Sequence, residues 1–139
     1  MNWSRYYFVP INNFNGTILG DNLTLSGITI SSNSYASLFR KLDQNAYIKS
    51  INITGDISGY YVVAGIAGEN FGTIIGCQNN ASITNNNNYY SQNNITAGIC
   101  AINRGVVSRC SNQGVINSES VYTGGICAKN YSEINNVYN

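Results

Sequence analysis

The stretch Gly65-Ile66-Ala67-Gly68-Glu69-Asn70-Phe71-Gly72-Thr73-Ile74-Ile75-Gly76-Cys77-Gln78-Asn79 decides the fold, because the chain says it three times. It returns as Gly98-Ile99-Cys100-Ala101-Ile102-Asn103-Arg104-Gly105-Val106-Val107-Ser108-Arg109-Cys110-Ser111-Asn112. It returns again as Gly125-Ile126-Cys127-Ala128-Lys129-Asn130-Tyr131-Ser132-Glu133-Ile134-Asn135-Asn136-Val137-Tyr138-Asn139. The offsets, Gly65 to Gly98 and Gly98 to Gly125, are 33 and 27 residues, with no gap inside the motif. Periods of this size belong to repeat architectures, in which each unit buries its apolar face by stacking on its neighbours.

The aligned columns choose the kind of repeat. Ile66, Ile99 and Ile126 form one column, Ile74, Val107 and Ile134 another, and Ile83 pairs with Ile116. These positions ask for a buried, β-branched side chain. If each unit is one turn of a coil, like residues stack about 4.8 Å apart. Helical repeats are excluded by the short unit and its Gly and Asn content, and leucine-rich repeats by the missing leucines. Asn70, Asn103 and Asn130 align, as do Asn79, Asn112 and Asn139. Each closes a strand, tolerating left-handed backbone or bonding to its own turn, and the stacked amides can bond to one another. Gly65, Gly98 and Gly125 align where there is little room for a side chain, or where φ is positive.

Working outward, residues 1–13 read as a lead-in. Trp3, Tyr6, Tyr7 and Phe8 read as part of an N-terminal cap, with an aromatic ligand patch as the alternative. From Phe14 to Ile30 short period-two runs broken by Gly and Asn read as strands and turns. A divergent copy follows, with Leu38-Phe39 aligned to Gly65-Ile66 and Tyr47-Ile48-Lys49-Ser50-Ile51 aligned to Thr73-Ile74-Ile75-Gly76-Cys77. Coils are expected near 14–37, 38–63, 64–96, 97–123 and 124–139. The segment Thr84 to Asn94 is six residues longer than its counterpart after Ile116, and reads as a surface excursion on one face.

The composition agrees. Charged residues make up 9% of the chain, far below the roughly 25% of an average soluble protein, yet the hydrophobic fraction is 43%. Asn fills the difference with 24 residues, which suits turns and ladders and not helices. The net charge is +1 with no basic run, so nucleic acid is not expected as a partner. No apolar run is long enough for insertion into a membrane as a helix. Met1 reads as the start of a partial or processed chain, so the missing signal peptide counts only weakly against export.

The runs Gly65-Ile66-Ala67-Gly68-Glu69-Asn70-Phe71-Gly72-Thr73-Ile74 and Gly98-Ile99-Cys100-Ala101-Ile102-Asn103-Arg104-Gly105-Val106-Val107 resemble the GLUG repeat of bacterial surface proteins. That repeat also occurs in the non-catalytic part of immunoglobulin A1-specific metallopeptidases. The resemblance spans about residues 10–139. Departures are Arg40 and Lys41 in place of small residues, Ala101 and Ala128 in place of a second Gly, and Ser132 in place of the turn Gly. The resemblance implies a right-handed parallel β-helix, a β-solenoid of about four to five coils, extracellular or at the cell surface, used as a rigid stalk or adhesive segment.

Cys77 stacks with Cys110, and Cys100 with Cys127, at a separation a disulfide accepts. Buried thiols are the favoured reading over two bridges. With no His in the chain, the commonest general base is missing, and neither a metal site nor a cofactor is expected. Of six carboxylates only Asp56 and Glu69 stand where adjacent coils might pair them, and a solvated turn is the favoured reading for Glu69. The chain therefore reads as non-enzymatic. Candidate ligand contacts are Tyr60, Tyr61, Tyr89 and Tyr90, for a host glycan or protein, since Tyr offers amphipathic area at low entropy cost; turn and face packing is the favoured reading of the four over a ligand site. The alternative is a self-assembling subunit: ending at Asn139 inside a unit leaves an open rung for another copy.

Overall fold

The structure, a computed structural model, describes residues 8–139. Among the described residues there is no helix; the chain winds through about four turns of a parallel β-solenoid. The first coil holds β1 (Ile11–Phe14) and β2 (Thr17–Ser31), and the second β3 (Tyr35–Ala36), β4 (Phe39–Leu42) and β5 (Tyr47–Gly59). The third holds β6 (Val62–Ala64), β7 (Ala67–Asn70), β8 (Thr73–Ile75), β9 (Gln78–Asn79) and β10 (Ser82–Asn85). The fourth holds β11 (Ile95–Ala97), β12 (Cys100–Asn103), β13 (Val106–Ser108), β14 (Ser111–Asn112) and β15 (Ile116–Ser118). β16 (Tyr122–Gly124), β17 (Cys127–Asn130) and β18 (Glu133–Asn135) follow in the fifth.

Three parallel sheets form the walls. One runs β1-β4-β7-β12-β17 and another β3-β6-β11-β16. In the third, the long β5 pairs with β2 on one side. On the other it pairs with β8, β9 and β10 in succession, as the next coil breaks one long strand into three. The Ile columns close the interior. Ile66, Ile99 and Ile126 follow one another up the coil, with Ile66 N–H donating to Ile99 O at 2.9 Å and Ile99 N–H to Ile126 O at 3.1 Å. Ile74, Val107 and Ile134 are register partners, as are Ile83 and Ile116. Ile66, Ile74, Ile83, Ile99 and Val107 are fully buried, the placement from which apolar side chains stabilise a fold most.

The sequence alignment needs correction in the second coil. Phe39 pairs with Ala67, so Leu38 sits opposite Ile66 and Ser37 opposite Gly65. The reason is bulk. Phe39 is buried against the Phe14 ring, 5.2 Å away, and the shift lets Leu38 join the Ile66 column. Ser37, also buried, spends its hydroxyl on Phe39 O at 2.6 Å. β1 is paired with β4 from Ile11. Trp3, Tyr6 and Tyr7 of the expected cap lie outside the described residues. Phe8 donates its N–H to Thr29 O and packs on the core.

Two columns have specific backbone reasons. A Cβ on Gly98 would lie 2.2 Å from Gly125 O and 2.5 Å from the Asn112 side-chain carbon. Space, not positive φ, therefore requires glycine there. The left-handed column lies elsewhere, at Ser50, Gly76, Arg109 and Asn136, with φ of 57°, 65°, 52° and 52°. None of Asn70, Asn79, Asn103, Asn112 or Asn130 has positive φ, so these asparagines serve the ladders through their side chains.

Candidate functional site

The polar interior is bonded along its length. Asn70 Nδ2 donates to Asn103 Oδ1 at 3.0 Å, and Asn103 Nδ2 to Asn130 Oδ1 at 2.9 Å. Asn79 donates to Asn112 at 2.8 Å, and Asn112 to Asn139 at 2.9 Å. Each of Asn70, Asn79 and Asn103 also accepts, on Oδ1, the backbone N–H two residues on. The buried amides of Asn70, Asn79, Asn103 and Asn112 hold coils together and are not free for a ligand, while Asn130 and Asn139 end the two ladders exposed. Buried polar groups that are fully paired stiffen a fold.

Several charged residues are also engaged. Asp56 pairs in register with Thr29 and Ser82, while Glu69 belongs to a different sheet, so the structure does not bring the two carboxylates together. Glu69 Oε2 instead accepts from Arg104 Nε at 3.0 Å. Arg104 stacks on Tyr131 at 4.6 Å and Lys41 on Phe71 at 4.9 Å, a cation–π file up one corner. In the corrected register Lys41 stands opposite Glu69 and Arg40 opposite Gly68, and Arg40 also finds a ring, lying 4.9 Å from that of Tyr35.

All four cysteines are free thiols, with Cys77, Cys100 and Cys110 buried and Cys127 half-buried. Cys100 and Cys127 are register partners, and Cys77 O accepts from Ser111 N–H beside Cys110. The thiols themselves donate to backbone carbonyls, Cys110 to Ser108 O at 3.3 Å and Cys127 to Lys129 O at 3.1 Å. The neighbouring Cys110 thiol, with burial second, pushes the Cys77 thiol up, and the Cys77 thiol lowers Cys110. Burial, then the neighbouring Cys127 thiol, raises Cys100, and the Cys100 thiol lowers Cys127. Among the described residues no group of three or more Cys, Asp or Glu is placed to hold a metal ion, and no helix is long and apolar enough to cross a membrane.

The tyrosines behave differently. Tyr60 and Tyr61 turn the corner between β5 and β6, 43% and 46% exposed. The excursion of residues 86–94 leaves and rejoins the coil directly over that corner: Asn86 N–H donates to Gly59 O at 2.8 Å and Ile95 N–H to Tyr61 O at 2.7 Å. Tyr60, Tyr61 and Tyr89 then line one open groove of about 360 Å³, with Asn33, Asn86, Asn87 and Asn88. Tyr90 does not line it and stands 90% exposed.

What the sequence reading missed is the support beneath. The run Asn85-Asn86-Asn87-Asn88 alternates in burial, with Asn85 and Asn87 inside and Asn86 and Asn88 outside. Asn85 Oδ1 accepts Asn87 N–H, and Asn87 Oδ1 accepts Tyr89 N–H, each at 3.0 Å. Buried Asn94 closes the excursion, donating to Asn87 O at 2.7 Å. Asn85 Nδ2 reaches Thr96 Oγ1 at 3.0 Å, and Ser120 Oγ links Thr96 Oγ1 to Asn94 Oδ1 at 2.7 and 2.9 Å. The signal was a period-two pattern inside an all-Asn run, invisible when every letter is the same. Asn94 also heads an Asn-x-Thr triplet, but its side chain is buried and spent.

No protein-family model matches this chain, and neither a curated protein nor a solved structure matches it.

Proposed function

We propose that this chain is a rigid, non-enzymatic β-solenoid segment of an exported bacterial surface protein, holding an adhesive contact away from the cell. The export and the bacterial setting rest on the GLUG-like repeat. The stalk role is supported by amides committed to inter-coil bonds from Asn70 to Asn130 and from Asn79 to Asn139, buried in all but the last coil. One observation carries the adhesive role: Tyr60, Tyr61 and Tyr89 gather in one open groove, held by a bonded excursion. Exposed aromatic residues on a rigid frame are the anchors from which interfaces draw their affinity.

The test is retention of beads coated with the chain on a layer of host cells or extracellular matrix. Tyr89→Ala, at a side chain 80% exposed, leaves the fold intact and lowers retention. Retention equal to that of uncoated beads overturns the adhesive role. Concentration-dependent filaments in microscopy and size exclusion would assign the chain to end-to-end assembly of its own copies instead.

A further inference from the structure

We infer that the groove over the Tyr60-Tyr61 corner is a binding site for a neutral carbohydrate, taking one or two pyranose rings against Tyr60, Tyr61 and Tyr89. This deepens the adhesive reading and rests on it.

Charge comes first. The groove is lined by Tyr and Asn alone, with no Lys, Arg, Asp or Glu. An anionic sugar or an acidic peptide would meet no cation there, and recognition of carboxylate, sulfate or phosphate draws on Arg or Lys. The hydrogen-bonding inventory comes second. The side-chain amides of Asn33, Asn86 and Asn88 make no hydrogen bond within the protein, and all three residues are exposed. Each free amide offers an acceptor oxygen and two donor hydrogens side by side. A sugar hydroxyl donates and accepts at once, so adjacent hydroxyls can satisfy both halves of one amide. A purely apolar ligand would strip water from these amides and return nothing.

The rings supply the other half. A pyranose has one face of C–H groups with hydroxyls around its rim. Tyr presents a flat apolar face with a polar tip, matching that pattern. The volume, about 360 Å³, falls at the small end of the roughly 300–1,000 Å³ typical of small-molecule sites. The groove is also set before binding: Asn87 and Asn94 are buried and bonded beneath it, so little ordering cost remains. A proline-rich peptide also uses aromatic grooves, but each proline lacks an N–H, so its backbone brings few donors to the amide oxygens.

The experiment is an array of neutral, sialylated and sulfated glycans beside proline-rich peptides, probed with the intact chain. Titration calorimetry with the best neutral oligosaccharide follows. Binding to neutral glycans is expected, unchanged between about 0.05 and 0.5 M salt because no charge is screened. Tyr89→Ala and Asn88→Ala should each weaken it tenfold or more, Tyr61→Phe should retain it, and Tyr90→Ala should leave it untouched. Unaltered circular dichroism excludes misfolding. Binding confined to sialylated or sulfated glycans, binding of the peptides in the same groove, or neutral-glycan binding indifferent to Tyr89→Ala each overturns the proposal. If beads are retained on matrix through Tyr89 while no neutral glycan binds, the ligand class falls and the adhesive reading stands. If neither occurs, both fall.

Discussion

Asn70 and Asn103 lie on neighbouring coils with their amides in one chain, Asn70 Nδ2 to Asn103 Oδ1 at 3.0 Å. The ladder starts at Asn70 for a reason. In the coil before it the register partner is Leu42, fully buried, and before that Phe14, which pairs with Leu42. An amide stacked on an amide has a partner; an amide stacked on Leu42 has none on that side and needs none, because its donors reach Asn103 Oδ1, Gly72 O and Val106 O. The second ladder repeats this, with Asn79 standing over Ile53.

Asn103 should therefore be sensitive to chemistry and not only to size. Asn103→Ala leaves Gly105 N–H without its acceptor and removes a rung on both sides, an expected loss of about 2–4 kcal/mol by urea unfolding. Asn103→Asp keeps the shape but turns a donor into an acceptor facing Asn130 Oδ1, Glu133 O and Gly105 O. Those oxygens raise the new carboxyl in the folded state. Its stability is then fully present below the unfolded carboxyl value, about 3.9, and is lost as pH rises through the folded one. The deficit of Asn103→Asp against wild type should shrink from pH 7 toward pH 4. A deficit independent of pH would rule out this account.

The glycine columns separate space from conformation. Gly98→Ala drives a Cβ onto Gly125 O, a backbone atom 2.2 Å away, and onto the Asn112 amide. Its expected cost is about 3 kcal/mol or more. Gly76→Ala meets nothing nearer than Ser50 Oγ at 3.2 Å but must hold φ at 65°, a cost of about 1–2 kcal/mol. Thermal melts of the two variants should rank in that order.

Arg109 occupies the left-handed corner at φ 52° with an exposed side chain that makes no hydrogen bond or ion pair. Replacing it with Asn, the residue found at position 136 of the same column, should stabilise the chain by about 0.5–1 kcal/mol. A fall in the urea midpoint would show that Arg109 does something beyond tolerating the corner.

The thiols should label in sequence. Cys127 is half-buried and its thiol is held below the usual range, so iodoacetamide should modify it first at neutral pH. Cys77 and Cys100, buried and raised, and Cys110, buried, should react only as the chain unfolds. Peptide mass mapping over time reads the order. Early labelling of Cys77 would contradict the packing described above.

The repeat alone determined the solenoid, its β-branched interior and its asparagine ladders. Local spacing inside the motif dictates the path of each turn, whatever the length of the connection between copies: Ile66, Ile99 and Ile126 coincide because the same letters surround them. Where the letters diverge, only the tertiary structure decided the outcome. The one-residue shift at Leu38 came from fitting Phe39 against Phe14, a contact between coils. The left-handed corner at Ser50 and Arg109 is imposed by the stack above and below, against the preference of those residues. The groove belongs to the same class. Tyr60, Tyr61 and Tyr89 meet, and Tyr90 does not, because the excursion is pinned by bonds from Asn85 and Asn94 to Thr96 and Ser120. Such a pin joins residues of separate turns, and no local pattern encodes it.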